Sequence, residues 1–330
     1  MKRTLLSIFA LAAMSATALA ADIKPAIIYD LGGKFDKSFN ESAFNGAEKF
    51  KTDTGIGYRD FEIQNDAQRE QALRKFARDG NNPIVMAGFS WAAALEKVGA
   101  EFPDTDFAII DMVVDLPNVR SVVYKEQEGS YLVGVMAAKK STTGTVSFVG
   151  GMDIPLIRKF ACGYAGGVKE TNPQATVLEA MTGTTPDAWN DPVKGGEIAK
   201  SQIAQGSDVV YAAAGGTGIG VLQAAADEGK LSIGVDSNQN GIQPGSVLTS
   251  MLKRVDVAVY NAFDDAKNDK FTYGFNSLGL AESGVDYAMD ENNADLVTPE
   301  ILAAVEQAKA DIISGKITVH DYMSDEACPY

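Results

Sequence analysis

Short apolar runs rich in Val and Ile recur along the chain, and segments with a helical spacing of apolar residues separate many of them. Nine runs read as strands, from PAIIYDL at residues 25–31 to SVLTSML at 246–252. They are continuous rather than alternating, which is typical of strands buried on both faces of a parallel sheet. The pattern predicts an α/β fold with right-handed crossovers, with helices near 43–50, 71–78, 92–102, 131–140, 157–169, 193–205 and 219–228.

Two helix starts carry recognisable capping signals. Ser38 and Glu41 fit the S-x-x-E capping box, which would place Phe39 and Asn40 in the first helical turn. Asp191 followed by Pro192 offers a cap and a proline at the first helical position. The order of the elements predicts two similar open sheets, one through about residue 125 and one from there to about residue 250.

The first 20 residues read as a secretory signal. Lys2 and Arg3 precede an apolar run that ends in the A-x-A sequence of residues 18–20. No cysteine stands at the predicted cleavage point, so we expect a freely diffusing, non-lipidated protein of the periplasm. The remaining 310 residues exceed one comfortable core, which predicts two domains.

Charge and cysteine content narrow the classes of partner. Without Lys2 and Arg3, 27 basic residues face 44 acidic ones, a formal charge of −17. Such a surface repels nucleic acid and anionic membranes, so neither is expected as a partner. Cys162 and Cys328 are too few for a disulfide scaffold or a four-cysteine zinc site. They could pair with each other in an oxidising compartment, or remain as one buried thiol and one thiol in a loose tail.

Polar groups cluster at the predicted strand ends. Open parallel sheets bind ligands beyond the carboxyl ends of their strands. Candidates there, with one aromatic residue just before a capped helix, are Asp30, Asp111, Gly215, Gly216, Asp236, Lys253 and Trp189.

Catalytic and phosphate-binding motifs are incomplete. The glycines of GGKFDKS and of GGTGIG at 215–220 lack the spacing of a P-loop or a dinucleotide fingerprint. GFSWA at 88–92 resembles a serine-hydrolase turn, with Ser90 as nucleophile and His320 as the only histidine, but its second glycine is missing. No cluster of histidines or cysteines indicates a catalytic metal. We therefore expect a binding protein without cofactor, and keep a serine hydrolase as a weaker alternative.

The candidate residues suit a flat ring that carries hydroxyl groups. Phe39 and Trp189 could stack on a planar ring, while Asn40 and Asp111 could bond its edge. Carboxylates accept paired hydrogen bonds from neighbouring sugar hydroxyls, and a lysine donates one, which suits Asp30, Asp236 and Lys253. Structural roles compete with this interpretation, since Phe39 could anchor a core and an aspartate at a strand end often caps a helix.

Several blocks resemble the basic membrane protein family of ABC-transporter solute-binding proteins, whose purine nucleoside receptors are one branch. They are YDLGGKFDKSFNESAFNG, FAIIDMVV, AWNDPVKGGEIA, DVVYAAAGGTGIGVLQAA, IGVDSNQN and VLTSMLKRVDVAVY. The resemblance implies a type I periplasmic binding protein, with two Rossmann-like lobes joined by a three-strand hinge. It implies a first lobe of residues 21–128 plus 254–276 and a second lobe of residues 129–253 plus 277–330. It also implies a monomer that delivers purine nucleosides to a membrane permease.

Roles follow from the resemblance position by position. Phe39 and Trp189 would stack on the base, Asn40 and Asp111 would bond its edge, and the ribose would meet Asp30, Asp236, Lys253 and the backbone of Gly215 and Gly216. This chain has Trp189 where the family usually has Phe, and Asn238 where Asp is common. Asp111 slightly favours guanosine or inosine over adenosine. Riboflavin, a free purine base, or a sensory partner instead of a permease remain alternatives.

Overall fold

The computed structural model describes residues 23–330. The predicted signal peptide and its cleavage site lie outside the described residues. Within residues 23–330, no helix combines the length and the apolar character that a membrane crossing requires.

The first sheet has six parallel strands in the order β11-β5-β4-β3-β1-β2. Its central strands β1, β3 and β4 are completely buried, as continuous apolar runs require. The strands are β1 (Ala26–Tyr29), β2 (Arg59–Glu62), β3 (Ile84–Met86), β4 (Phe107–Ile110), β5 (Val119–Tyr124) and β11 (Gly274–Leu278).

The second sheet also has six strands, in the order β12-β10-β9-β8-β6-β7, and only β12 runs antiparallel to its neighbour. The strands are β6 (Thr145–Met152), β7 (Thr176–Gly183), β8 (Val209–Ala213), β9 (Leu231–Asp236), β10 (Val247–Lys253) and β12 (Val285–Tyr287). Two sheets of parallel-dominated α/β type confirm the predicted fold class.

Nine α-helices cover the sheets of the described residues. They are α1 (Phe39–Thr54), α2 (Arg69–Arg78), α3 (Ala92–Glu101), α4 (Glu126–Lys140), α5 (Pro155–Thr171), α6 (Pro192–Ala204), α7 (Thr217–Asp227), α8 (Val255–Lys267) and α9 (Pro299–Ile313). Helix α8 packs on α1, where the Phe50 and Phe263 rings meet edge to face with centroids 5.4 Å apart. The chain thus returns to the first sheet after β10.

Three crossovers join the two sheets. The chain leaves the first sheet after Tyr124, returns after Lys253 and leaves again after Leu278. Backbone bonds tie these crossovers together, because the Lys125 amide donates to the Leu278 carbonyl at 3.0 Å. We keep the lobe boundaries at residues 128, 254 and 277 as a proposal.

The C-terminal tail returns to helix α5. Helix α9 begins after Thr298, whose hydroxyl caps the Ile301 amide at 3.3 Å, and Pro299 opens the helix. Beyond α9, the structure joins Cys328 to Cys162 of α5 in a disulfide.

Candidate functional site

A cavity lies between the two sheets, at the carboxyl ends of their strands. It encloses about 620 Å³, including the space at its opening. Eight of the nine predicted site residues line it: Asp30, Phe39, Asn40, Asp111, Trp189, Gly215, Asp236 and Lys253. Gly216 does not line it and stands behind Gly215, immediately before α7. Sequence reasoning did not place Asp36, Phe89, Leu156, Ile157 and Phe160, which also line the cavity.

Two of the strand-end aspartates have unusual backbone conformations. Asp111 has φ of 71° and Asp236 has φ of 63°, both in the left-handed region that residues with a side chain rarely adopt. Such strain, roughly 1–3 kcal/mol per residue, persists where the surrounding structure fixes it, and it clusters at binding sites. The turn at each strand end brings the carboxylate to the cavity wall.

Helix α1 begins at Phe39 with Ser38 as its N-cap residue, so Phe39 and Asn40 lie in the first turn as predicted, but the side-chain bonds of the predicted capping box are absent and Asp36 caps the helix instead. Its carboxylate accepts hydrogen bonds from the backbone amides of Ser38 at 2.8 Å, Asn40 at 3.0 Å and Glu41 at 3.1 Å. Ser38 makes no side-chain cap bond. The Asp36 carboxylate reaches all three orphan amides from two residues upstream, which leaves the Ser38 hydroxyl free for another partner.

That free hydroxyl bonds across the cavity. Ser38 Oγ donates to the Asp236 carboxylate of the second lobe. Two further bonds join the same loops, from Ser237 Oγ to the Ser38 carbonyl at 2.9 Å and from Gln239 Nε2 to the Lys37 carbonyl at 2.9 Å. These three hydrogen bonds join the loop before α1 to the end of β9 and the loop after it, so they connect the two sides of the cavity.

The Asn40 side chain is engaged by the loop in this conformation. Its Oδ1 accepts from the Asp30 amide, and its Nδ2 donates to the carbonyls of Asp30 and Gly33, each at 3.2 Å. All of these partners are backbone groups of the β1–α1 loop. Asn40 therefore fixes the loop that leads into α1 and Phe39, and its predicted bond to a ligand stays a prediction.

A buried charge cluster forms the floor of the cavity. Lys253 Nζ lies 2.7 Å from Asp111 Oδ2 and 3.0 Å from Glu126 Oε1, and Glu126 Oε2 lies 2.7 Å from Lys159 Nζ. All four side chains are at most 6% exposed. The strand-end rule could have found Glu126, which comes two residues after the VRSVVY run ends. The apolar spacing missed it because α4 begins five residues before the predicted start.

Burial and neighbouring charge set the protonation of this cluster. Burial raises the pKa of Asp111 to about 6, although Lys253 opposes the shift. Burial also favours a higher pKa for Glu126, but Lys159 and Lys253 hold that pKa below its usual range. Burial alone would lower the pKa of Lys253, yet the surrounding carboxylates raise it. The ammonium therefore stays charged, and Asp111 is the cluster carboxyl that protonates most readily.

Asp30 lies on the other side of the cavity and already has a cationic partner. Its Oδ1 lies 2.6 Å from Arg69 Nη2, and the same guanidinium lies 2.9 Å from Asp66. Burial raises the pKa of Asp30, and Arg69 opposes that shift. Burial likewise raises the pKa of Asp36 to about 7, against the three amides that it accepts. The cavity thus combines several buried carboxyls with few cations.

The predicted hydrolase residues do not assemble. Ser90 lies in the turn before α3 and lines a different groove, together with Met152 and Pro186. His320 Nε2 bonds within the tail, 3.1 Å from Asp325 and 2.9 Å from the Ala327 carbonyl. Nothing in these contacts activates the Ser90 hydroxyl.

Comparison with known proteins shows similarity over almost the whole chain. The model of the family described as ABC transporter substrate-binding protein, PnrA-like, matches residues 24–321. An ABC transporter nucleoside-binding protein of Lactococcus lactis is 34% identical over 322 residues, covering 90% of this chain and 89% of that protein. An uncharacterised lipoprotein of Pyrococcus furiosus is 34% identical over 284 residues, covering 80% and 70%. The crystal structure of a solute-binding protein from Aeropyrum pernix superposes with a TM-score of 0.83 at 30% identity, covering 91% and 93%.

The names of these relatives contradict the predicted localisation. The relatives from three Pyrococcus species are called lipoproteins, and those from Borrelia garinii and Borreliella burgdorferi are called basic membrane proteins. The prediction of a freely diffusing, non-lipidated periplasmic protein was wrong. It relied on one missing cysteine in a segment that lies outside the described residues.

The family assignment agrees with the architecture and with the predicted resemblance. The matched region includes both sheets and every residue that lines the cavity. This chain belongs to the family of PnrA-like ABC transporter substrate-binding proteins.

Proposed function

We propose that this protein binds purine nucleosides in the cavity between its lobes and presents them to the permease of an ABC importer. The observation that carries the proposal is the set of side chains that line the cavity. Two aromatic side chains, Phe39 and Trp189, line it together with carboxyls at three strand ends and one buried lysine. The name of the Lactococcus lactis relative, a nucleoside-binding protein, supports the same ligand class.

Aromatic rings supply the proposed contact with the base. Phe39 and Trp189 line the cavity from different lobes and make no direct ring contact among the aromatic pairs of residues 23–330. A planar base between them would gain about 0.5–1.5 kcal/mol per ring beyond its buried area. The Lys253 ammonium lies 5.2 Å from the Phe39 ring centroid, which holds this ring's orientation.

The polar groups supply the proposed contacts with hydroxyls and ring nitrogens. Asp111 Oδ1 is buried and accepts no hydrogen bond from the described residues. A buried acceptor without a partner costs roughly 1–3 kcal/mol, so a donor on the ligand would be favoured there. Guanosine and inosine present a ring N–H, which adenosine lacks at the same edge. The proposed sugar contacts are Asp30, Asp236 and Lys253.

The family consists of substrate-binding proteins rather than enzymes, and we propose no reaction. Binding stabilises the closed conformation, because a ligand shifts the equilibrium towards the state in which it touches both lobes. Within the protein, the Ser38–Asp236 bond also connects the two sides of the cavity and would stabilise the same conformation. The closed form is then the form that the permease recognises.

Calorimetric titration of ligand-free protein tests the proposal. The protein is unfolded, freed of carried ligand and refolded, then titrated with guanosine, inosine, adenosine, uridine, guanine and riboflavin. We expect tight binding of purine nucleosides and at least tenfold weaker binding of guanine, because buried carboxylates lose their hydroxyl partners. Riboflavin or guanine binding alone would overturn the nucleoside assignment.

Matched variants test the assigned contacts. Asp236→Ala and Asp30→Ala should each weaken nucleoside binding, whereas Asp187→Asn, an exposed carboxyl near Trp189, should leave binding unchanged. Unchanged affinity in both cavity variants would refute the sugar assignment. A folded wild-type protein that binds none of the six compounds would refute the proposed ligand class.

A further inference from the structure

The Trp189 indole rests directly on the backbone of Gly151 in β6. A Cβ atom built on Gly151 would lie 2.1 Å from Trp189 Cζ3, 2.4 Å from Cε3 and 2.9 Å from Cη2. No side chain fits in that space. Trp189 lines the cavity and Gly151 does not, so the indole stands between the β6 backbone and the ligand space.

The backbone that carries Trp189 is fixed from two directions. The Ala188 carbonyl accepts hydrogen bonds from Thr182 Oγ1 at 3.0 Å and from Thr217 Oγ1 at 2.8 Å. The Asp191 amide donates to the same Thr217 hydroxyl at 2.7 Å. These bonds anchor the segment to β7 and α7. An indole pushed off Gly151 therefore cannot move with its backbone and must turn into the cavity.

We propose that Gly151 is a specificity-determining residue. Because it has no side chain, the larger Trp189 indole can lie against β6, and this sets the width of the space between Trp189 and Phe39, which we call the ring slot. This inference rests on the proposed function for its ligand. The chain carries tryptophan at a position where a phenyl ring would reach less far. The bare backbone of Gly151 is the feature that accommodates the extra ring.

The displacement that a methyl group would cause follows from the geometry. Ordinary contact begins at 3.4 Å, so the 2.1 Å approach must open by at least 1.3 Å. A stacked ring needs about 3.5–4.0 Å between carbon atoms on each face. If the indole moves 1.3 Å into the ring slot, a stacked ring no longer fits unless Phe39 and Trp189 move apart.

A double-mutant cycle tests the proposal. Gly151→Ala should weaken guanosine binding at least tenfold in the wild-type background and less than threefold in the W189F background, because phenylalanine lacks the Cε3, Cζ3 and Cη2 atoms of the indole. An equal loss in both backgrounds would overturn the proposal and make Gly151 a purely structural glycine.

Gly150→Ala is the matched control in the same strand. A Cβ on Gly150 would lie 2.2 Å from Met181 Sδ and 2.8 Å from Cγ2 of the cavity-lining Ile157, so it meets these side chains instead of the indole. We expect this variant to lower the melting temperature, with an affinity loss that does not depend on W189F. Coupling of Gly150 to residue 189 as strong as that of Gly151 would contradict the assignment.

A measurement without ligand separates this proposal from the proposed function. In a Trp91→Phe background Trp189 is the only tryptophan. Gly151→Ala should change acrylamide quenching of its fluorescence, and Gly150→Ala should not. If no compound of the panel binds, the proposed function fails while quenching still tests the contact. Unchanged quenching in Gly151→Ala would overturn the contact itself.

Discussion

Removing the Lys253 ammonium is the most informative test of the buried charge cluster. In Lys253→Met, Glu126 keeps Lys159 as a partner at 2.7 Å, whereas Asp111 loses the cation that lies 2.7 Å away. The uncompensated charge therefore falls on Asp111. Breaking a buried ion pair on one side costs about 3–5 kcal/mol. We expect the free energy of unfolding to fall by that order.

The loss should depend on pH in a specific direction. Burial raises the pKa of Asp111 to about 6 even beside Lys253. A carboxyl with a raised folded-state pKa favours the folded state below its unfolded pKa of about 3.9, and that contribution is lost as the pH rises through the folded pKa. Without Lys253 the folded pKa rises further, so Lys253→Met should be most destabilised above pH 6 and much less destabilised at pH 4.5.

Urea unfolding followed by circular dichroism measures the effect at pH 4.5 and pH 8. The same measurement is made on Asp111→Asn, which removes the charge and keeps the shape of the side chain, and on the double variant with Lys253→Met. The double variant should recover most of the stability that Lys253→Met loses at pH 8. A loss of equal size at both pH values, with no recovery in the double variant, would refute the electrostatic account and leave only packing.

Three further predictions concern the loop before α1 and the tail. Asp36→Ala should lower the free energy of unfolding by about 2 kcal/mol, since it removes the acceptor of three amides at the start of α1, and a melting temperature equal to wild type would contradict the capping role. Ser38→Ala removes the bond to Asp236 and should shift ligand-free protein towards an open form with a larger radius of gyration in solution scattering. Identical scattering profiles would show that this bond does not hold the lobes together. Thiol titration in denaturant should find no free thiol before reduction and two after it, and two at the outset would exclude the Cys162–Cys328 pair.

The sequence predicted those elements whose residues are buried on both faces. Each of the nine apolar runs overlaps a strand, and α1 through α7 overlap the seven predicted helices, with bounds that differ by up to five residues. Strand β2 was missed because RDFE is a polar edge strand with two exposed residues. Helix α9 was missed although Thr298 and Pro299 carry a clear start signal.

The sequence predicted eight of the residues that line the cavity, but it did not predict which groups those residues contact. The strand-end rule found Asp30, Asp111 and Asp236, since it needs only the order of the strands. It could not show that Arg69 pairs with Asp30, which is 39 residues away in the chain. The capping box failed for a related reason: Asp36 and Ser38 both fit a cap, and only the loop conformation decides which of them bonds the amides.

The buried charges lie where the chain crosses between its sheets. Glu126 comes two residues after β5 ends, and Lys253 is the last residue of β10. Lys159 joins them to the crossover itself, because its ammonium donates to the Tyr124 carbonyl at 2.9 Å. A ligand that bonds Lys253 or Asp111, as proposed, would thus contact a charge cluster that also bonds the backbone of the first crossover. The side chains that we propose as ligand contacts, Lys253 and Asp111, therefore belong to the same buried cluster that joins the crossovers between the sheets.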